Sequence, residues 1–428
     1  MRNFNKSILL ILLTAIFISG TYAQVDKVKY VKKAKYPVLK ELREQIDGEN
    51  AAKDSVTKMI RERYSKKKKT ERENSKRLRF DFSNVDKPES LKEFTKFFHF
   101  DPVAQYSSGM CWCFSATSFL ESEIQRRYNE KIKLSELHTV YYEYIEKARR
   151  YVRQRGNSEF GQGSESNAVL KIMEQYGAVP VKVYDGDLKY DKHNHTQLFK
   201  DMNNFLHYCK DNNFWEEEII VSTIQSILNG HLGAPPETFK YKLKKYTPLE
   251  FFNEVMKLKA DEYCGFVSTL SEDFYKQCCF DAPDNWWLDS SYYNIPLDEW
   301  YAIIKKSMKN EYSMVIGGDV SEAGIYGKEE VAIVPDFDIP GEYINQDSRE
   351  YRIYNNTTED DHGIHLVGHT TRGKGDDMHD WFLIKDSGRS SRQGPNKGYY
   401  FFRDDFIRLK MLTFMVHKDI VADILENF

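Results

Sequence analysis

Residues 105–116 read QYSSGMCWCFSA. Cys111 stands between a glycine-bearing turn and a tryptophan, six residues after Gln105. The run that follows, CWCFSATSFLESEIQRRYNE, places Cys113, Ala116, Leu120 and Ile124 on one stripe and Glu121, Gln125 and Arg126 off it. That is the pattern of a helix with a buried face, beginning at or beside Cys111. A thiol attacks a carbonyl as thiolate, and the positive end of a helix or a nearby imidazolium favours that form. Gly109 allows a sharp turn ahead of the helix and brings backbone N–H groups close to the sulfur. The N–H of Cys111 and the side-chain amide of Gln105 are then candidate donors to an oxyanion.

The imidazole has to come from elsewhere in the chain. Of eleven histidines, His362 heads a β-prone run, HGIHLVGH, in which a strand could hold it across a cleft from the helix. A second such run, WFLIKDSG, ends in Asp386, and the turn TTRGKGDDMHD between the runs could set that carboxylate beside His362. The candidates therefore follow in the order Cys, His, Asp. The alternatives are a structural thiol at Cys111 and an ordinary turn aspartate at Asp386. His362, His365 and His369 share one face only if the segment is helical, and the alternation of Ile364 and Leu366 reads instead as a strand. No metal site is expected, and with no phosphate-cradling or dinucleotide glycine motif, no cofactor either. Cys113 is expected in the core, and His193 and His195 in an exposed polar turn.

The surroundings bound the rest. The sequence has 428 residues, 41% hydrophobic and 30% charged, with a net charge of -3, so the chain as a whole does not advertise nucleic acid as its partner. Its start, MRNFNKSILLILLTAIFISGTYAQ, has basic residues, then an apolar run too short to span a bilayer, then Ala23 at a cleavage-like position. Residues 1–23 are expected to be a signal peptide, giving an exported protein, periplasmic or secreted, without a membrane anchor. Residues 24–80 form a basic arm in which Lys and Arg outnumber acids by about two to one. Val38, Leu39, Leu42 and Ile46 recur there at helical spacing, so part of the arm is expected to lie on the body as an amphipathic helix. A second helix is expected from near Ser166 to Gly177. Six cysteines without framework spacing argue against a disulfide-built fold. The vicinal pair Cys278 and Cys279 is expected to pack among aromatic residues.

QYSSGMCW resembles the active-site segment of papain-like cysteine peptidases. Within that family the chain is most similar to the bleomycin hydrolase and aminopeptidase C branch, through MEQYGAVP, GAPPETF, TPLEFF, GGDV, the His362 strand and KGYYFFRDDF. The resemblance runs from about residue 94 to 420. It implies an α+β, two-lobed fold: a helical lobe over 81–190, a largely helical insertion over 191–311, and an antiparallel β lobe over 312–428. It implies Cys111 as nucleophile, His362 as general base and acid, and Gln105 in the oxyanion hole, with Gly109, Trp112, Gly163 and Ser164 along the substrate. It also implies peptide substrates and a ring-like homo-oligomer, a hexamer. Three features depart from the branch. Its asparagine-serine-tryptophan-glycine pattern reads Asp386-Ser387-Gly388 here, a glycine pair reads Gly163-Ser164, and ILENF stops short of the branch's terminal arm, which reaches the cleft.

Two further classes of function remain open on the sequence. One is a catalytically impaired, peptidase-like scaffold, motivated by Asp386 and the lost tryptophan. The other is a polyanion binder working through the basic arm.

Overall fold

The structure, a computed structural model, describes residues 37–76, 78–186, 192–375 and 378–428. The expected signal segment and the side chain of Leu39 lie outside these. The chain divides into two compact units after Arg77. In the first, α1 (Pro37–Asn74) is one long helix with i,i+4 pairs such as Lys40–Glu44 at 3.4 Å. Each of its described side chains is exposed, Val38, Leu42 and Ile46 included. The expected helix is formed, with charged residues flanking its thin apolar stripe.

The second unit is a large sheet between two cores. It begins with β1 (Thr95–Lys96), then α2 (Cys111–Tyr128), α3 (Glu136–Arg153), α4 (Ala168–Tyr176), α5 (Thr196–Asp211) and α6 (Glu217–Leu232). There follow β2 (Phe239–Tyr241), β3 (Lys244–Tyr246), β4 (Tyr263–Val267), β5 (Lys276–Cys278), β6 (Tyr292–Asn294), α7 (Leu297–Lys309) and β7 (Met314–Gly318). The last elements are β8 (Ile325–Tyr326), β9 (Val331–Ala332), α8 (Gln346–Tyr354), β10 (His362–Arg372), β11 (His379–Lys385), β12 (Tyr399–Arg403), α9 (Asp404–Lys410) and β13 (Met411–His417).

Among the described residues the main sheet runs β5-β6-β4-β13-β7-β10-β11-β12-β9-β8, with β1 on the far part of β10. The α+β class is as expected, but two details differ. Pair β9–β12 is parallel, so the β lobe is mixed rather than purely antiparallel, and β4–β6 adds a second parallel pair from the segment 191–311. The segment 191–311 is helical in α5, α6, a short stretch over 248–256 and α7, and three of its strands join the main sheet. Runs of three to five residues are too short to show a period, and YCGFV at β4 is apolar nearly throughout, which fits a buried strand as well as a helix.

Alternation along the strands sorts the two cores. Val315 of β7 and Met415 of β13 face the core built by α2 to α6, whereas Ile316, Ile364, Leu366 and Phe414 face the core of α7 and Trp300. Gly363 and His365 turn toward α2. Ile424 and Leu425 pack with the Trp300 core, and Phe428 lies edge-on to Tyr293, their ring centres 4.7 Å apart. The described C-terminal residues thus sit on the sheet face opposite α2.

Candidate active site

Cys111 is the first residue of α2, as its sequence pattern predicts. No side chain caps the helix, so its first N–H groups and the positive end of its dipole stay available at the sulfur. The turn before it is fixed from outside. Gly109 N donates to Gln162 Oε1 at 3.0 Å, and Trp112 Nε1 donates to Gln162 O at 3.1 Å. A Cβ on Gly109 would fall 2.9 Å from the Gln162 Cβ, so this close approach needs glycine.

β10 brings His362 to the same place. An added Cβ on Gly363 would lie 3.2 Å from Trp112 Cα and 2.9 Å from Ser115 Oγ, so the strand start abuts the first turn of α2. His362 Nε2 meets Asp386 Oδ1 at 2.6 Å, and the Cys111 side chain is close enough for its charge to act on the ring. With Nε2 engaged, Nδ1 is the ring nitrogen left for the thiol. Burial alone would depress the imidazole pKa, but the charges of Asp386 and then Cys111 outweigh it and hold His362 well above its ordinary value. Burial likewise pushes Asp386 up, and the opposing His362 charge with the Gly388 N–H brings it below the usual carboxylate range. Gly388 closes over the pair. Its N–H donates to Asp386 Oδ1 at 2.9 Å, and a Cβ there would stand 3.3 Å from His362 Nε2. Backbone, not a tryptophan ring, shields this side.

Gln105 is locked beside them. Its Oε1 accepts from Ser387 Oγ at 2.7 Å, and its Nε2 donates to Ser108 O at 2.8 Å, leaving one N–H free. Trp112 is buried against the Gln162 loop rather than open to a ligand. Gly163 and Ser164 are also engaged by the protein: Lys147 donates to the Gly163 carbonyl, and the Ser164 hydroxyl accepts from Trp286 Nε1 at 3.1 Å. These internal bonds anchor the loop from α3 beside the first turn of α2.

Other residues fall where their chemistry allows. Cys113 is buried, and burial pushes its thiol well up, an inert core cysteine as expected. All six cysteines are free, and Cys278 packs with Val267 and Tyr292. His193 and His195 are buried, contrary to the exposed turn expected. His193 lies edge-on to Phe114, and His195 sits by the Tyr144 hydroxyl at 3.4 Å, so flanking aromatics rather than water receive them. His365 binds Ser118 on α2, which also accepts from Lys385 at 2.7 Å, and no three or more His, Cys, Asp or Glu side chains among the described residues are placed to hold a metal ion. Sequence reading missed Lys147 and Gln162. The only signal for the former is Glu143 and Lys147, four residues apart and both buried on α3.

The pattern that defines the Peptidase C1-like family matches residues 50–158 and 150–428. The chain belongs to this family. Aminopeptidase G of Lactobacillus delbrueckii subsp. lactis is 21% identical over 73% of this chain and 80% of its own length. Aminopeptidase C of the same organism is 22% identical over 51% of this chain and 58% of its own length. The fold is shared with PepW from Lactobacillus rhamnosis HN001, with a TM-score of 0.65 at 16% identity, covering 92% of this chain and 96% of that one. The chain is thus a papain-like, cysteine-type peptidase.

Proposed function

We propose that the protein is an exported cysteine aminopeptidase that cleaves peptides through a thioester on Cys111. The observation that carries this reading is a half-buried imidazole bonded to Asp386 and placed beside Cys111 at the start of an uncapped helix. His362 Nδ1 takes the thiol proton as sulfur attacks the scissile carbonyl carbon. The oxyanion accepts from the Cys111 N–H and the free N–H of Gln105. The carbon–nitrogen bond breaks as His362 returns the proton to the leaving amine. Water, deprotonated by the same nitrogen, then attacks the thioester, releasing the acid and restoring the thiol. Asp386 accepts the Nε2–H throughout and keeps the ring turned toward sulfur.

Removal of N-terminal residues is supported by the names of the two related aminopeptidases, and export by the composition of residues 1–23. The ring-like hexamer belongs to the same proposal. No helix among the described residues is long and apolar enough to cross a membrane. A leucyl-coumarin substrate should be turned over by the protein and not after iodoacetamide treatment. Turnover that persists in Cys111→Ala would remove the reading. Fractionation of the producing cells, with sequencing of the mature N-terminus, tests export: Gln24 as first residue is the expected result.

A further inference from the structure

Three carboxyl groups unused by this chemistry converge on one flank of Cys111. Glu165 stands two residues past Gly163, on the loop that Gln162 ties to the first turn of α2. Asp360 lies two residues ahead of His362, and a Cβ on Gly317 of β7 would come within 3.3 Å of its Oδ1. It is near enough to Cys111 for the two charges to interact. Asp284 presses on Gly163, where a Cβ would fall 2.1 Å from its Oδ2.

These groups lack what buried carboxylates normally have. Glu165 is only 5% exposed, and while its Oε2 accepts from the Tyr292 hydroxyl at 3.3 Å, its Oε1 receives no donor beyond a proton it can share with the adjacent Asp360 carboxyl. Among the described residues no lysine, arginine or histidine forms an ion pair with Glu165, Asp284 or Asp360. The nearby cations are engaged otherwise: Lys171 with Asp289 at 2.6 Å, and Lys147 with the carbonyls of Gly161 and Gly163. Burying carboxyls side by side is unfavourable unless a positive group joins them. Burial accordingly pushes Glu165 up to about 7, and burial with the neighbouring Glu165 charge holds Asp360 well above its ordinary range. Asp284 and Asp360 are partly exposed, so the cluster is reachable from solvent. Ile424, Leu425 and Phe428 pack on the opposite sheet face, so none of these residues brings a charge to the cluster.

We infer that Glu165, Asp360 and Asp284 form a cation-accepting subsite beside Cys111, which receives an alkylammonium or guanidinium group of the substrate. The unpartnered Glu165 Oε1 is its inner anchor, and the two partly exposed aspartates are its mouth. The cation has two sources in a peptide: the free α-amino group of the residue being removed, or a basic side chain on the residue before it. The assignment rests on the peptidase reading and adds a charge requirement to it.

The test compares four coumarin substrates: leucyl and N-acetyl-leucyl, then N-acetyl-arginyl-leucyl and N-acetyl-leucyl-leucyl. Each pair differs by one positive charge. In Glu165→Gln/Asp360→Asn the preference for the charged member should fall at least about tenfold relative to the unmodified protein, carried by KM. A fall in the first pair assigns the α-amino group, and a fall in the second the basic side chain. Both preferences staying within about twofold would overturn the subsite. If the double variant does not fold, as judged by its melting transition, Asp360→Asn alone decides by the same criterion. If no substrate is cleaved, it is the peptidase reading that fails. The subsite is then read by fluorescence anisotropy of C-terminally labelled Leu-Leu-Ala, its N-acetyl form and N-acetyl-Arg-Leu-Ala, with the same tenfold and twofold limits.

Discussion

At the scale of single residues, the distinctive feature is a full negative charge on buried Asp386 against the half-buried imidazole of His362. The neutral amide that the resemblance leads one to expect would orient His362 equally well but would not stabilise its cation. Asp386→Asn should therefore let His362 lose its proton at lower pH, moving the alkaline limb of kcat/KM toward acid by about one unit or more. A pH–rate profile of the two proteins checks this. The same pair has a sign in stability. His362, raised above its ordinary 6.5, contributes stability that is complete below 6.5 and lost as pH rises through the raised value. Asp386, lowered from 3.8, contributes stability that is complete above 3.8 and lost as pH falls through the lowered value. The melting difference between the protein and Asp386→Asn should thus be widest between 3.8 and 6.5. Glu165 runs the other way. Raised from 4.5 to about 7, it costs the fold increasingly as pH climbs through that interval. Glu165→Gln should accordingly gain in melting temperature, relative to the unmodified protein, from about pH 5 to about pH 8.

At the scale of elements, the site depends on a short loop being clamped onto the first turn of α2. Gln162 holds both Gly109 and Trp112, and Lys147 of α3 holds the loop's carbonyls. Gly109→Ala would drive a methyl group into Gln162, a packing conflict of about 1–3 kcal/mol. It should lower the melting temperature and slow turnover together, whereas Gly230→Ala, in open space on α6, should do neither. The same elements show what could be read in advance. Cys111, His362 and Asp386 were legible because each terminates a run with its own signal: a helical stripe, an alternating strand, and a strand closed by a glycine turn. Glu165, Asp284 and Asp360 were not, since they stand in loops without periodicity and meet only through the fold. Strands β5 and β6 were hidden for a related reason, being three residues each and placed beside aromatic residues that suit a helix as well.

At the scale of the whole molecule, one sheet separates two cores, and the helix that begins at Cys111 lies on one face while the C-terminal residues lie on the other. The cleft chemistry is thus assembled from loops and element ends on the α2 side. The first unit contributes no buried side chain among its described residues, and its long helix is dense in lysine and arginine. Brief exposure to trypsin should cut there first and leave a resistant product beginning near Leu78, as mass spectrometry would record. The central claim, that His362 activates Cys111, is tested most directly by the rate at which iodoacetamide modifies that sulfur, followed by mass spectrometry at about pH 6. Exposed Cys279 serves as the internal reference. Cys111 should be modified at least about a hundredfold faster than Cys279, and His362→Ala should abolish that advantage. Equal rates at the two cysteines, or a Cys111 rate indifferent to the loss of His362, would contradict the account.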